Sequence, residues 1–114
     1  MSATDYLVVL ITAPTAADAR RIARVLVEER LAACVNILPD CRSVYRWNED
    51  VAEEAEAMMV AKTGREFFPQ LARRVQEIHP YAVPEVVGLP VTKVTEPYRR
   101  FLADGVKARR RGSR

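Results

Sequence analysis

Eight residues, His79-Pro80-Tyr81-Ala82-Val83-Pro84-Glu85-Val86, constrain this chain more than any other stretch. Pro80 cannot continue the apolar-periodic helix read ahead of it, so the chain turns there. Pro84 pushes Val83 into an extended conformation. The run that follows, Val86-Val87-Gly88-Leu89-Pro90-Val91, reads as a short buried strand. The result is a stiff helix-to-strand corner. It brings the only histidine of the chain together with the phenol of Tyr81 and the carboxylate of Glu85. A rigid corner holds functional groups at low entropic cost. The plainer reading is that His79 caps the preceding helix and the prolines shape the turn. The stretch alone leaves both readings open.

Ahead of this corner, Leu7-Val8-Val9-Leu10-Ile11 is a continuous aliphatic run, as expected of a central strand covered on both faces. Thr15 and Asp18 make a capping-box-like start to an amphipathic helix. Ala19, Ile22, Ala23 and Leu26 line its apolar side, and it ends near Glu29. Residues 31–38 read as a second strand that Pro39-Asp40 bends or interrupts. In Ser43-Val44-Tyr45-Arg46-Trp47 the alternation puts Tyr45 and Trp47 on one face. Asn48-Glu49-Asp50 reads as a turn.

Residues 51–63, rich in Ala, Glu and Met, read by propensity as helix. Read as a strand, the same residues put Glu54, Glu56, Met58, Val60 and Lys62 on one side. Thr63-Gly64-Arg65-Glu66 offers a capping box for a second helix that starts near Phe67 or Phe68 and ends at His79-Pro80. Thr95 can cap a short last helix with Tyr98, Phe101 and Leu102 on its apolar side, stopped by Gly105.

The length of 114 residues suits one domain, and 49% hydrophobic with 29% charged residues is a globular composition. The formal charge of +3 belongs to the end of the chain. Lys107, Arg109, Arg110, Arg111 and Arg114 sit in the last ten residues. Removing them leaves 13 basic against 15 acidic residues, a net charge of −2. We therefore divide the chain into a domain over 1–105 and a basic tail over 106–114. The tail lacks the interleaved aromatics that stack bases, so a solvated, disordered terminus is expected rather than a nucleic-acid or membrane arm. No apolar run is long enough to span a membrane. No secretory pattern precedes the first strand, so a cytoplasmic location is expected. Cys34 and Cys41 are not in a Cys-x-x-Cys motif, and reduced thiols fit the cytosol. On one extended segment their odd spacing would place them on opposite faces. Cys34 by itself reads as a small buried apolar residue.

Several stretches, in order and at their spacing, resemble the CutA family of divalent-cation tolerance proteins. They are Thr12-Ala13-Pro14, the run from Glu29 to Ile37 (ERLAACVNI), Ser43-Val44-Tyr45-Arg46-Trp47, Lys62-Thr63, and the corner from His79 to Val86 (HPYAVPEV). The resemblance runs from about Leu7 to Leu102. It implies an α+β fold, a ferredoxin-like β-α-β-β-α-β sandwich with an extra short C-terminal helix. It also implies a homotrimer joined through long strands whose edges pair between subunits. Tertiary pairing of that kind overrides helix propensity, so residues 51–62 are assigned to a strand.

The family's shared polar and aromatic residues gather in clefts between subunits. Carried over one at a time, they are Asn36, Tyr45, Trp47, Lys62, Thr63, Tyr81, His79 and Glu85 here, with Cys34 nearby in sequence. The resemblance implies that copper or another divalent metal binds there, with His79 and Glu85 as ligands. Some relatives have Cys where Ile11 stands and a second His where Ile78 stands. One histidine and one carboxylate make a thin site unless subunits share ligands. The family's glycine after Trp-x is also absent, its place taken within Asn48-Glu49-Asp50, which bears on the hairpin geometry.

Three functional readings follow. The first is a metal-binding trimer in divalent-cation tolerance. The second is a ligand-sensing trimer resembling PII-like proteins, with Lys62 facing a small anion between Trp47 and Tyr81. The third is a trimeric scaffold for a partner protein, in which the aromatics serve packing. An enzyme is the weakest reading, because the sequence holds no nucleophile–base set and no Gly-rich phosphate loop.

Overall fold

Each long apolar run becomes a strand and each 3.6-periodic run a helix. The computed structural model describes residues 2–106. The elements are β1 (Tyr6–Ala13), α1 (Ala16–Glu28), β2 (Cys34–Trp47), β3 (Asp50–Gly64), α2 (Phe68–Ile78), β4 (Val86–Pro90) and α3 (Glu96–Val106). The strands form one antiparallel sheet in the order β2-β3-β1-β4. This is the expected ferredoxin-like α+β arrangement with its added helix.

The core lies between one face of the sheet and α1 and α2. Val9 and Ile11 of β1 and Ala57, Met59 and Ala61 of β3 meet Ile22 and Leu26 of α1 and Leu71 and Val75 of α2, all fully buried. Alternation along β3 puts Ala57, Met59 and Ala61 inward. That is why the inner half of a segment with helix propensity is held extended: its small residues fit under the helices, and over residues 58–62 pairing on both sides satisfies its backbone. Thr15 caps α1, its hydroxyl accepting from the Asp18 amide at 3.0 Å.

The opposite face of the sheet corrects one expectation. The aliphatic run of β1 reads as covered on both sides, yet Val8 and Leu10 on the outer face are only half-buried. Around them, on the same face by register, stand Met58, Val60, Leu38, Val87 and Leu89. The last three are 49%, 46% and 45% exposed.

Other corrections are local. β2 begins at Cys34 rather than Leu31, and Leu31 and Ala32 are buried in the turn before it. A register shift between Leu38 and Cys41 marks the Pro39-Asp40 bend and resets the strand's parity. Cys34 opposes Lys62 and Cys41 opposes Glu56, so both cysteines share the outer face instead of facing opposite ways. The capping box at Thr63 does not form. Thr63 lies fully buried one residue before β3 ends at Gly64, and α2 starts behind a 3-10 turn with no side-chain cap. Gly105 does not stop α3, which runs on through Val106. Its missing side chain serves close packing, because a Cβ there would lie 2.5 Å from the Ala33 Cβ. The hairpin keeps a two-residue turn without the family's glycine, since Asn48 (φ 50°) and Glu49 (φ 71°) both take the left-handed conformation. The expected tail lies, from residue 107 on, outside the described residues.

Candidate functional site

The corner is held by the backbone of its neighbours. α2 ends at Ile78, whose carbonyl accepts from the Arg21 guanidinium at 2.9 Å. The His79 amide still donates to the Val75 carbonyl at 2.8 Å, closing the last turn. The His79 side chain is buried and spends both ring nitrogens. Nδ1 accepts from the Tyr81 amide at 3.0 Å, and Nε2 lies 2.7 Å from the Thr12 carbonyl. A carbonyl can only accept, so the proton sits on Nε2, and the ring is the neutral Nε2–H tautomer. The imidazole thus ties the corner to the end of β1. While these two bonds stand, no ring lone pair is left for a metal.

Tyr81 turns the other way. Its ring lies tilted at 5.0 Å from that of His79. Its hydroxyl donates to Glu56 at 2.8 Å. Burial first, and then the hydrogen bond to Glu56, push the phenol's pKa far above its ordinary value. Glu56 is 8% exposed, so this carboxylate is both buried and satisfied. Farther out on the hairpin, Tyr45 donates to Glu54, and that bond raises the Tyr45 pKa. Tyr45 packs edge-on to Trp47 at 6.4 Å, and Trp47 is 64% exposed.

A third group stands at the root of β2. Lys62 donates to the Asn36 side-chain oxygen, and the Cys34 thiol lies 4.0 Å from the same atom. Tyr98 of α3 adjoins the thiol. Burial, then Cys34, raise its pKa. Thr63 stands apart: its buried hydroxyl donates to the Leu31 carbonyl at 2.6 Å, locking the turn before β2. Glu85 is exposed.

The nine residues singled out from the sequence thus fall into separate groups. His79 and Tyr81 are together, Tyr45 and Trp47 are together, and Cys34, Asn36 and Lys62 are together. Asn36 and Tyr45 are nine residues apart on one strand, roughly 30 Å. One subunit does not gather the set into one pocket. No group of three or more His, Cys, Asp and Glu side chains suited to a metal occurs among the described residues. His79 and Glu85 belong to no such group among the described residues. Sequence reasoning missed the acceptors Glu54 and Glu56. Their alternation with Met58 and Lys62 was the available signal, since it puts them on the face the tyrosines occupy.

No helix of the described residues is long and apolar enough to cross a membrane. A family profile described as "CutA1 divalent ion tolerance protein" matches residues 7–105. The chain is 50% identical over 97 residues to the divalent-cation tolerance protein CutA of Thermus thermophilus, covering 85% of this chain and 94% of that one. It is 43% identical over 92 residues to protein CutA of Mus musculus, covering 81% of this chain and 52% of that one, so it spans about half the length of the mouse relative. A solved structure of the T. thermophilus divalent cation tolerance protein superposes with a TM-score of 0.86 at 48% identity, covering 88% and 97% of the two chains.

Proposed function

This chain belongs to the CutA1 divalent ion tolerance family, and from that premise we propose that it acts in divalent-cation tolerance as a homotrimer whose copies pool the groups that meet the metal. One observation carries the reading. The outer face of the sheet carries the half-buried Val8 and Leu10 and the exposed Leu38, Val87 and Leu89, while the residue pattern of β1 is that of a strand buried on both sides. A second copy of the chain is the cover that such a face invites. The Tyr45, Trp47 and Val51 end of the hairpin reaches past the helices and offers more apolar surface to a neighbour.

Pooling is needed because one copy lacks a ligand set. Copper or another divalent ion would draw on the outer-face groups Glu54, Glu56, Cys34 and Cys41, and on Glu85. His79 would join only by releasing the Tyr81 amide or the Thr12 carbonyl. The reading is of a binding protein rather than an enzyme. Both thiols are free, which favours a reducing compartment, and the cytosol is the proposed location.

Native mass spectrometry with copper titrated in tests both halves, beside a Leu38→Glu/Val87→Glu variant that charges the outer face. A wild-type trimer that takes up stoichiometric copper, and a monomeric variant that does not, is the expected result. A wild-type monomer sinks the assembly reading. Equal copper uptake by wild type and monomeric variant sinks the pooling of ligands.

A further inference from the structure

A groove of about 430 Å³ opens where the end of α1, the 3-10 turn before α2 and the last turn of α3 meet. Leu31, Phe67 and Val106 give it an apolar floor, and Glu28, Glu29 and Arg30 stand on its rim. None of these residues belongs to the long strands β2 and β3, so pairing of strand edges between copies leaves the groove open. Val106 is buried in the floor and is also the last described residue. The eight residues that follow it, Lys107 to Arg114, therefore leave the fold from inside the groove. They carry five positive charges and no acid.

The rim lacks the cation its position calls for. The end of a helix is the negative pole of its dipole, where basic side chains are favoured. The last turn of α1 has none, and Glu28 ends the helix with Glu29 as its cap. These residues differ in what they already hold. Glu29 is spent, because Arg74 donates to both of its oxygens at 2.9 and 3.0 Å. Arg30 is spent in turn on the Asp104 carbonyl at 3.2 Å. Glu28 is held only by Arg24 at 3.1 Å, with both side chains mostly in water and the cation N-terminal to the acid, which is the weaker order. Glu28 is thus the open charge of the rim, at the negative end of α1.

We propose that this groove is the docking site of the chain's own basic segment, residues 107–114, which latches the end of α3 to the end of α1. Arg109 and Arg110 supply the charge that meets Glu28. Leu102 and Val106 mark the buried side of α3 at a spacing of four, and the same period puts Arg109 and Arg110 next on that side. Three or four residues beyond Val106 reach about 5–6 Å along a helix, or about 10–14 Å if extended. Either length keeps the two arginines beside the rim that Val106 itself lines. A guanidinium grips a carboxylate through two parallel bonds, which suits Glu28 better than the exposed hold of Arg24. The latch takes the place of the solvated terminus expected from composition. It does not depend on the metal reading, because none of its residues is among the groups proposed to meet a metal.

Backbone ¹⁵N relaxation of the full chain in its native assembly tests the latch. Order parameters over residues 107–111 should stay near those of a rigid backbone, about 0.85. They should fall below about 0.6 in Arg109→Gln/Arg110→Gln and in Glu28→Gln. The first variant lies outside the packed core and the second changes an exposed side chain, so neither puts the fold at risk. Labelled wild-type chains co-refolded with an excess of unlabelled Glu28→Gln chains should keep their order, because each segment docks on its own copy. Order parameters below about 0.6 over 107–111 in the wild type, or unchanged values in either variant, would overturn the proposal. Loss of order in the mixed assembly would place the segment on a neighbouring copy and overturn the latch within one chain.

Discussion

Replacing Gly105 by Ala sets two effects of opposite sign against each other. Gly105 lies inside α3, where alanine is intrinsically better than glycine by about 1 kcal/mol. Propensity alone therefore predicts a more stable protein. The packing predicts the reverse. A Cβ at 105 would stand 2.5 Å from the Ala33 Cβ and 2.8 Å from the Ala33 Cα, where ordinary contact begins near 3.4 Å. The second of these atoms is backbone and cannot rotate away. Relief needs α3 to lift from the start of β2 by about 0.9 Å. Leu102 and Val106, 2% and 3% exposed, would then lose part of their packing. Overpacking of this kind costs about 1–3 kcal/mol. With the propensity gain subtracted, we expect a net loss of up to about 2 kcal/mol, a fall in Tm of up to roughly 8–16 °C. Urea denaturation at one fixed protein concentration measures it, so that any self-association affects both proteins alike. Ala33→Gly in the same chain removes the 2.5 Å contact but not the 2.8 Å one, so it should restore only part of the loss. A single variant more stable than wild type would refute the packing argument.

Further outcomes follow from single contacts. Glu49→Gly should stabilise by about 0.5–1 kcal/mol in chemical denaturation, because Glu49 holds φ at 71° where glycine is unstrained. Thr63→Val should cost about 1–3 kcal/mol by orphaning the buried Leu31 carbonyl, whereas Thr63→Ser should stay near wild type; equal losses in both would show that the hydroxyl does not matter. Glu96 is bound by Arg99, which lowers its carboxyl to about 2 from an ordinary 4.5. Its contribution is therefore present above pH 4.5 and lost as pH falls towards 2, so the Tm gap between wild type and Glu96→Gln should close over that window. A gap that stays constant from pH 7 to pH 2 would remove the ion pair from the account.

The fold was legible wherever a local pattern had one physical solution. The continuous run of β1, the 3.6-period stripes of α1 and α2 and the Pro80 corner all stand where the residues put them. The failures share a cause, which is that the decisive partner is distant in sequence. Gly105 reads as a helix stop until Ala33, 72 positions earlier, is seen against it. Thr63 reads as a cap until the Leu31 carbonyl claims its hydroxyl. The spacing of Cys34 and Cys41 misleads because one register shift at Pro39-Asp40 inverts the parity of everything after it. The grouping of the candidate site residues was not legible in the sequence. His79 looks like a ligand in the sequence. In the fold it is a two-sided hydrogen-bonding tie, since the Thr12 carbonyl and Tyr81 amide that occupy it are backbone groups that no side-chain pattern announces.

Residues 51–63 carry the argument from sequence to assembly. Their composition favours a helix, and one subunit supplies only part of the reason they are extended. Residues 58–62 of β3 are paired on both sides, with β1 and with β2, whereas residues 50–56 are paired with β2 alone. The outer half of the hairpin is thus two strands with exposed Val44, Trp47 and Val51, an arrangement that is marginal in water by itself. A segment of weak strand propensity in an isolated ribbon is stable only if something covers it. The uncovered outer face of β1, the unpaired edge of residues 50–56 and the exposed aromatic end of the hairpin are three unmet needs of one subunit, and a neighbouring copy would meet all three at once. On this argument the hairpin should be the first part to lose amide protection when the protein is diluted into monomers. Residues 58–62, clamped between β1 and β2, should keep theirs.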